Sequence, residues 1–164
     1  MNSVRTPRVS GFALLPFESQ PMSWHRDDFE ITTDRNRFNF EELCTLLVNE
    51  SDWAEVMSSV SLQRGVAASI AFVIFHGRRQ IGLARAVTDG ESFAYVRDVI
   101  VSQNYRGRGL GVWLMQCVCS HPDLLIVSRW MLSTTDAHAL YQKFGFAQVA
   151  EPELLMTRRT GELD

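Results

Sequence analysis

A chain of 164 residues with 46% hydrophobic and 21% charged side chains is about one domain long and can bury a full apolar core. Sixteen basic against nineteen acidic residues leave a net charge of -3, which argues against wholesale nucleic-acid binding. No apolar run approaches the roughly 20 residues that cross a bilayer, and three cysteines (Cys44, Cys117, Cys119) with no visible secretory signal predict a reduced, cytoplasmic protein without membrane partners.

Residues 1–28 read as a flexible N-terminal extension, with Arg5, Arg8 and several serines before the first acid, Glu18. A weak targeting segment or a misassigned start codon are the alternatives at this end. A single domain is expected from 29 to 164, opening with a strand over Phe29–Thr33. Asn39 or Asp34 caps a helix over 40–48, where apolar residues recur at helical spacing. A loop at 49–53 precedes a second helix over about 54–65. The continuous apolar run Ile70–Phe75 predicts a strand covered on both faces. The turn at 76–79 leads to a strand over 80–87, and Asp89-Gly90 is a hairpin signal leading into Phe93–Val101. A glycine-rich turn then opens a helix over about 109–119. His121-Pro122-Asp123 ends that helix, and a strand lies somewhere between Leu125 and Ser133. Asp136 is the expected N-cap of a helix over 137–144, with Gly145 as its left-handed stop. Phe146–Val149 and Leu154–Thr157 are expected to form a closing hairpin. Cys117-x-Cys119-x-His121 does not predict a metal site, because positions two apart on a helix face different sides.

The chemistry-bearing stretch is Arg106-Gly107-Arg108-Gly109-Leu110-Gly111. Alternating glycines between a strand and a helix expose successive backbone N–H groups to an anion, aided by the helix dipole and by two arginines. A P-loop needs Gly-Lys-Ser/Thr after its last glycine, and here Val112-Trp113 follows. A dinucleotide fingerprint starting at Gly107 needs glycine at 112, which is valine. The remaining pattern, Arg-x-x-Gly-x-Gly, resembles that of the GNAT superfamily of acetyl-CoA-dependent N-acetyltransferases. The downstream helix Ala137-x-x-Leu140-Tyr141-x-x-x-Gly145-Phe146 is similar to a second mark of that family, and the likeness covers roughly residues 29–158.

The resemblance implies an α/β fold with a mixed, mostly antiparallel sheet of six or seven strands flanked by about four helices. It implies that the backbone of Val99, Ile100 and Val101 receives the pantetheine arm of acetyl-CoA as a pseudo-strand, and that Arg106, Gly107, Arg108, Gly109, Leu110 and Gly111 hold the pyrophosphate. Tyr141 matches the family's tyrosine that protonates the departing thiolate. Where the family often carries asparagine, seven positions earlier, this chain has Thr134. Asp98, the only carboxylate on its strand, is a candidate general base or substrate anchor; a water relay is the alternative. Simple alternation puts Asp98 on the face of Val96 and Ile100, and a β-bulge would change that. His138 lies near Tyr141 on the helix and reads as solvent-exposed. Trp53, with Asp52 and Glu50, either lines an acceptor site or packs on the core.

The implied reaction is direct acetyl transfer to a small-molecule or protein amine in a ternary complex, without metal and without stable nucleic-acid binding. A catalytically silent acyl-CoA-binding regulatory module is the competing expectation. An RNA-contacting loop at Tyr105–Gly109 is a remote one. A homodimer is a reasonable prior.

Overall fold

The computed structural model describes residues 19–51 and 58–158. Six strands form one sheet in sequential order: β1 (Ser23–Arg26), β2 (Phe29–Thr32), β3 (Ile70–His76), β4 (Arg79–Thr88), β5 (Phe93–Val101) and β6 (Arg129–Met131). Every neighbouring pair is antiparallel except β5–β6, which is parallel. Helices α1 (Phe40–Glu50) and α2 (Ser59–Ala67) cover one face, and α3 (Leu110–Cys119) covers the other. The short α4 (His138–Gln142) follows β6, and its Tyr141 belongs to the α3-side core.

The apolar run in β3 explains this layering. Ile70, Phe72 and Ile74 enter the core under α3, whereas Ala71, Val73 and Phe75 enter the core under α1 and α2. Successive side chains of a strand point to opposite faces, so a run without polar residues feeds two cores at once. Each fully buried Leu, Ile or Phe contributes about 1.5–3 kcal/mol to that packing. Asn39 caps α1 as its sequence position suggests, accepting the N–H groups of Glu41 and Glu42 at 3.1 Å each. Asp34 instead caps a short 3-10 turn over Arg35–Arg37.

Three expectations are corrected and a fourth, the strand between 125 and 133, is narrowed. The sheet begins at Ser23, inside the segment read as a flexible extension, because β1 pairs with β2 from Ser23↔Thr32 to Arg26↔Phe29. The strand sought between 125 and 133 is only Arg129–Met131. A 3-10 turn at Pro122–Leu124 runs on through the Val127 N–H to Leu124 carbonyl bond, leaving Leu125 and Ile126 exposed. Asp136 does not cap α4. Ala137 occupies the N-cap, and its N–H is held by Thr134 Oγ1 at 3.0 Å, so a threonine turn supersedes an aspartate cap. The closing hairpin is absent among the described residues. Phe146 is committed to Tyr141, at 5.9 Å between ring centroids, and Pro152 nucleates a 3-10 turn over Pro152–Leu154.

Gly82 sits where neighbouring strands leave no room for a side chain. A Cβ there would lie 2.7 Å from Ile74 Cδ1 and 2.9 Å from the Ile100 carbonyl oxygen. Gly82→Ala is expected to cost about 1–3 kcal/mol by denaturant titration, as overpacking does elsewhere. His121 is buried against the rings of Trp24 and Phe72, its Nδ1 accepting the Asp123 N–H at 3.3 Å. Burial pushes its pKa below 6.5, against a smaller opposing pull from Asp123. The unfolded chain therefore binds this proton first, and stability is lost as pH falls from the unfolded value towards the lowered folded one. His121→Gln removes that loss. Its melting temperature is expected to gain on wild type between about pH 7 and about pH 5, measured side by side.

Candidate functional site

Strands β5 and β6 are paired only over Phe93↔Arg129, Ala94↔Trp130 and Tyr95↔Met131. Beyond Tyr95, β5 runs on to Val101 with β4 on one side and, among the described residues, no strand on the other. The sheet thus splits beside Val99, Ile100 and Val101, the residues expected to offer backbone to a ligand. Tyr95, in the last pair, joins its hydroxyl to that of Ser133, two residues past β6, at 2.7 Å.

Within that stretch the β4–β5 register slips. Leu83 faces Ile100, but Arg85 faces Arg97, so Asp98 and Val99 together oppose Ala84. Asp98 takes a left-handed backbone, φ 53°, which is uncommon for a residue with a side chain. The slip reverses the facing downstream. Val96 belongs to the core under α3, and Ile100 belongs to the core under α1 and α2. The simple-alternation placement of Asp98 with both is therefore corrected. Val99 and Val101 pack against the core that holds Tyr141, and Ile100 does not.

Asp98 is not open to a substrate. Its side chain is 2% exposed, Arg85 Nε donates to Oδ2, and Arg97 Nε lies 3.9 Å from Oδ1. A carboxylate closed between two guanidinium groups is placed to hold structure, which favours the water relay over Asp98 as the base.

The glycine turn that follows has the shape the sequence suggests. Gly107 and Gly109 have φ of 77° and 74°, which disfavours any side chain there whatever the space. Gly109 is the N-cap of α3, and the first turn carries neither a side-chain cap nor an acid. Its orphan N–H groups are thus left for an anion. Leu110 is buried in the core, and Gly111 faces Leu140.

The three arginines around the turn divide their tasks. Arg106 braces the loop: Nε donates to the Val101 carbonyl at 2.9 Å, and Nη2 pairs with Glu50 Oε2 at 3.2 Å. Glu50 also accepts the Gln103 N–H at 3.0 Å, so this residue buttresses the turn. Its suggested companions Trp53 and Asp52 lie outside the described residues. Arg108 lies over the Tyr105 ring at 5.4 Å. Arg26 reaches in from β1, donating Nη2–H to the Arg108 carbonyl at 3.0 Å and lying 4.9 Å from the Trp113 ring centroid. Its Nη1 comes within 3.9 Å of the point where a Gly109 Cβ would stand. Among the described residues Arg26 has no acidic partner. Sequence reasoning missed it because it lies more than eighty positions from the turn, in the segment set aside as an extension.

Tyr141 is 8% exposed and lies on the wall of a cavity of about 540 Å³ with Trp130, Ser133, His138 and Phe146. Burial pushes its pKa above 10, with a further rise from the Asp136 charge. Phe146 N–H bonds the Tyr141 carbonyl and Gly145 N–H bonds the Gln142 carbonyl, a Schellman closure that locks the end of α4. Thr134 fixes the other end. The cavity does not include the glycine turn or Asp98. Among the described residues no group of three or more His, Cys, Asp or Glu side chains could hold a metal ion, and no helix is long and apolar enough to cross a membrane.

A mixed six-stranded sheet that splits at its parallel pair, beside a glycine turn opening a helix, is the architecture of an acetyltransferase domain. The model of the acetyltransferase (GNAT) domain matches residues 67–148, half of the chain. A solved structure from Xanthomonas campestris pv. campestris, named as an acetyltransferase of the GNAT family, is 36% identical. It covers 82% of this chain and 95% of its own, with a TM-score of 0.77. This chain belongs to the GNAT acetyltransferase family. A protein of Gibberella zeae named as an acetyltransferase is 27% identical over 76% of this chain and 82% of its own. A Clostridium acetobutylicum protein named as an acetyltransferase, solved with acetyl-CoA, shares the fold. There the TM-score is 0.55 and the identity 11%, over 75% of this chain and 91% of that one.

Proposed function

We propose that this protein transfers the acetyl group of acetyl-CoA to a primary amine, on a small molecule or a protein, by direct attack. The observation that carries this reading is the split between β5 and β6 placed next to an uncapped helix N-terminus. The free edge of β5 over Val99–Val101 can bond an amide-bearing arm as a further strand would. The turn from Arg106 to Gly111 supplies backbone N–H groups and positive charge for a diphosphate. Bound acetyl-CoA contributes an acyl group already activated as a thioester.

The chain's own residues then orient and protonate. The amine nitrogen forms the new bond to the carbonyl carbon, the carbon–sulfur bond breaks, and the electron pair leaves on sulfur. Tyr141 is suited to give that sulfur its proton, because burial keeps the phenol protonated across the working range of pH. One ammonium proton of the acceptor leaves to water before attack, since Asp98 is closed off by Arg85, and the second proton shed by the nitrogen as the amide forms returns to the Tyr141 oxygen. Among the described residues no cysteine lines the cavity beside Tyr141, and burial pushes the Cys117 and Cys119 thiols up, which favours direct transfer over a cysteine acyl-enzyme.

Turnover of acetyl-CoA against an amine panel tests the reading, and CoA binding with no transfer to any amine would replace it with a regulatory module. Tyr141→Phe is expected to lower kcat by at least about 100-fold with CoA affinity unchanged. Because burial raises the tyrosine pKa, wild-type kcat should show no alkaline fall below about pH 9. Arg26→Gln is expected to weaken CoA binding about 3- to 10-fold by calorimetry, the size of an exposed charge-assisted contact.

A further inference from the structure

We infer that Arg85 and Asp98 are positioning residues for acetyl transfer, holding the slipped backbone of β5 in the orientation that the acyl group meets. This rests on the acetyl-transfer reading and goes beyond it.

The network is drawn from three elements and one connection. Arg85 comes from the middle of β4, Asp98 from the slip in β5, Ser69 from just before β3, and Gly65 from α2. Arg85 Nε–H donates to Asp98 Oδ2, and Arg85 Nη1 lies 3.4 Å from Ser69 Oγ as a long hydrogen bond. Ser69 Oγ in turn donates to the Gly65 carbonyl at 2.8 Å. A Cβ at Gly65 would stand 2.7 Å from Arg85 Nη1, so the α2 backbone lies directly on the guanidinium and shuts it from water. Side-chain exposure is 6% for Arg85 and 2% for Asp98.

A buried ion pair of this kind is a poor source of stability, because desolvation offsets most of its attraction. Its value lies in geometry. Asp98 is one of two non-glycine residues with positive φ among those described, and the other, Asp27, lies in the tight turn between β1 and β2. A left-handed residue inside a strand reverts to extended backbone unless its surroundings hold it. Here the Asp98 carboxylate is pulled towards α2 by Arg85, while Val99 turns towards the opposite core. The peptide between them is thereby set at an angle that a regular strand would not give. That peptide opens the 99–101 stretch along the split, and a preorganised amide there aims at charge developing on the acyl oxygen.

The experiment is a double-mutant cycle on the full chain: Arg85→Met, Asp98→Asn and both together. Each protein is measured for melting temperature, CoA affinity by calorimetry, and kcat and KM with the amine that wild type accepts. The double variant removes both charges and leaves neither buried alone, so it is the one expected to fold best. Its expected kcat is at least about 10-fold below wild type, with amine KM and CoA affinity within about threefold and an unchanged pH profile. Each single variant is expected to lose as much, the losses not adding. Arg85→Lys, which keeps the charge and loses the Nε–H donor, is the fallback if the double variant does not fold. It is expected to lose about threefold or more in kcat. A folded double or Lys variant with wild-type kcat overturns the inference, whatever its melting temperature. So does an active Arg85→Met beside an Asp98→Asn that loses its acid-side pH limb, because Asp98 is then the base. Wild type that binds CoA but transfers to no amine overturns the acetyl-transfer reading and this inference with it.

Discussion

A strand buried on both faces cannot move a side chain from one core to the other without an extra residue, because alternation fixes the facing of every position downstream. In β5 that extra residue lies at Asp98–Val99, opposite Ala84. Above it the strand feeds Ala94 and Val96 to the core under α3; below it Ile100 enters the core under α1 and α2. The slip also places Val99 and Val101 on the side of Tyr141. The facing of β5 towards both cores and its approach to the glycine turn depend on this irregularity. A buried pair, Arg85 with Asp98, holds it.

The second constraint is electrostatic. Helix α3 starts on Gly109 with no acid in its first turn, and Arg26, Arg106 and Arg108 all lie close by. Cations at a helix N-terminus oppose the dipole, so this arrangement is unfavourable by itself and becomes favourable with an anion in place. Among the described residues only Arg106 is neutralised by a carboxylate, Glu50, and its contribution is to tie the turn to α1. The charge left over belongs to Arg26 and Arg108. A diphosphate is the ligand that completes this balance in the proposed reaction.

Tyr141 shows how local and distant contacts share one residue. Its register is set locally, between the Thr134 turn and the Schellman closure at Gly145. Its burial is set by Phe146 and by the core under α3, and that burial keeps the phenol protonated. The same commitment draws Phe146 away from the strand expected there, leaving β6 short and the following segment out of the sheet.

What the sequence alone determined is whatever depends on short range. The run Ile70–Phe75 announced a strand between two cores, Asn39 was one of two announced caps for α1, and Gly145 announced a left-handed stop. In each case the cause lies within a few residues of the effect. The family was legible for the same reason, because its two marks are local spacings. Only the tertiary structure decided that Asp98 is closed by Arg85, that Arg106 is tied to Glu50, and that Arg26 stands at the start of α3. These contacts join residues that are neighbours only across strands or between layers. Their geometry follows from register, and a slip of one residue changes every facing beyond it. Local spacing marked the place proposed for the acyl donor, and the register of β5 decided which side chains surround it.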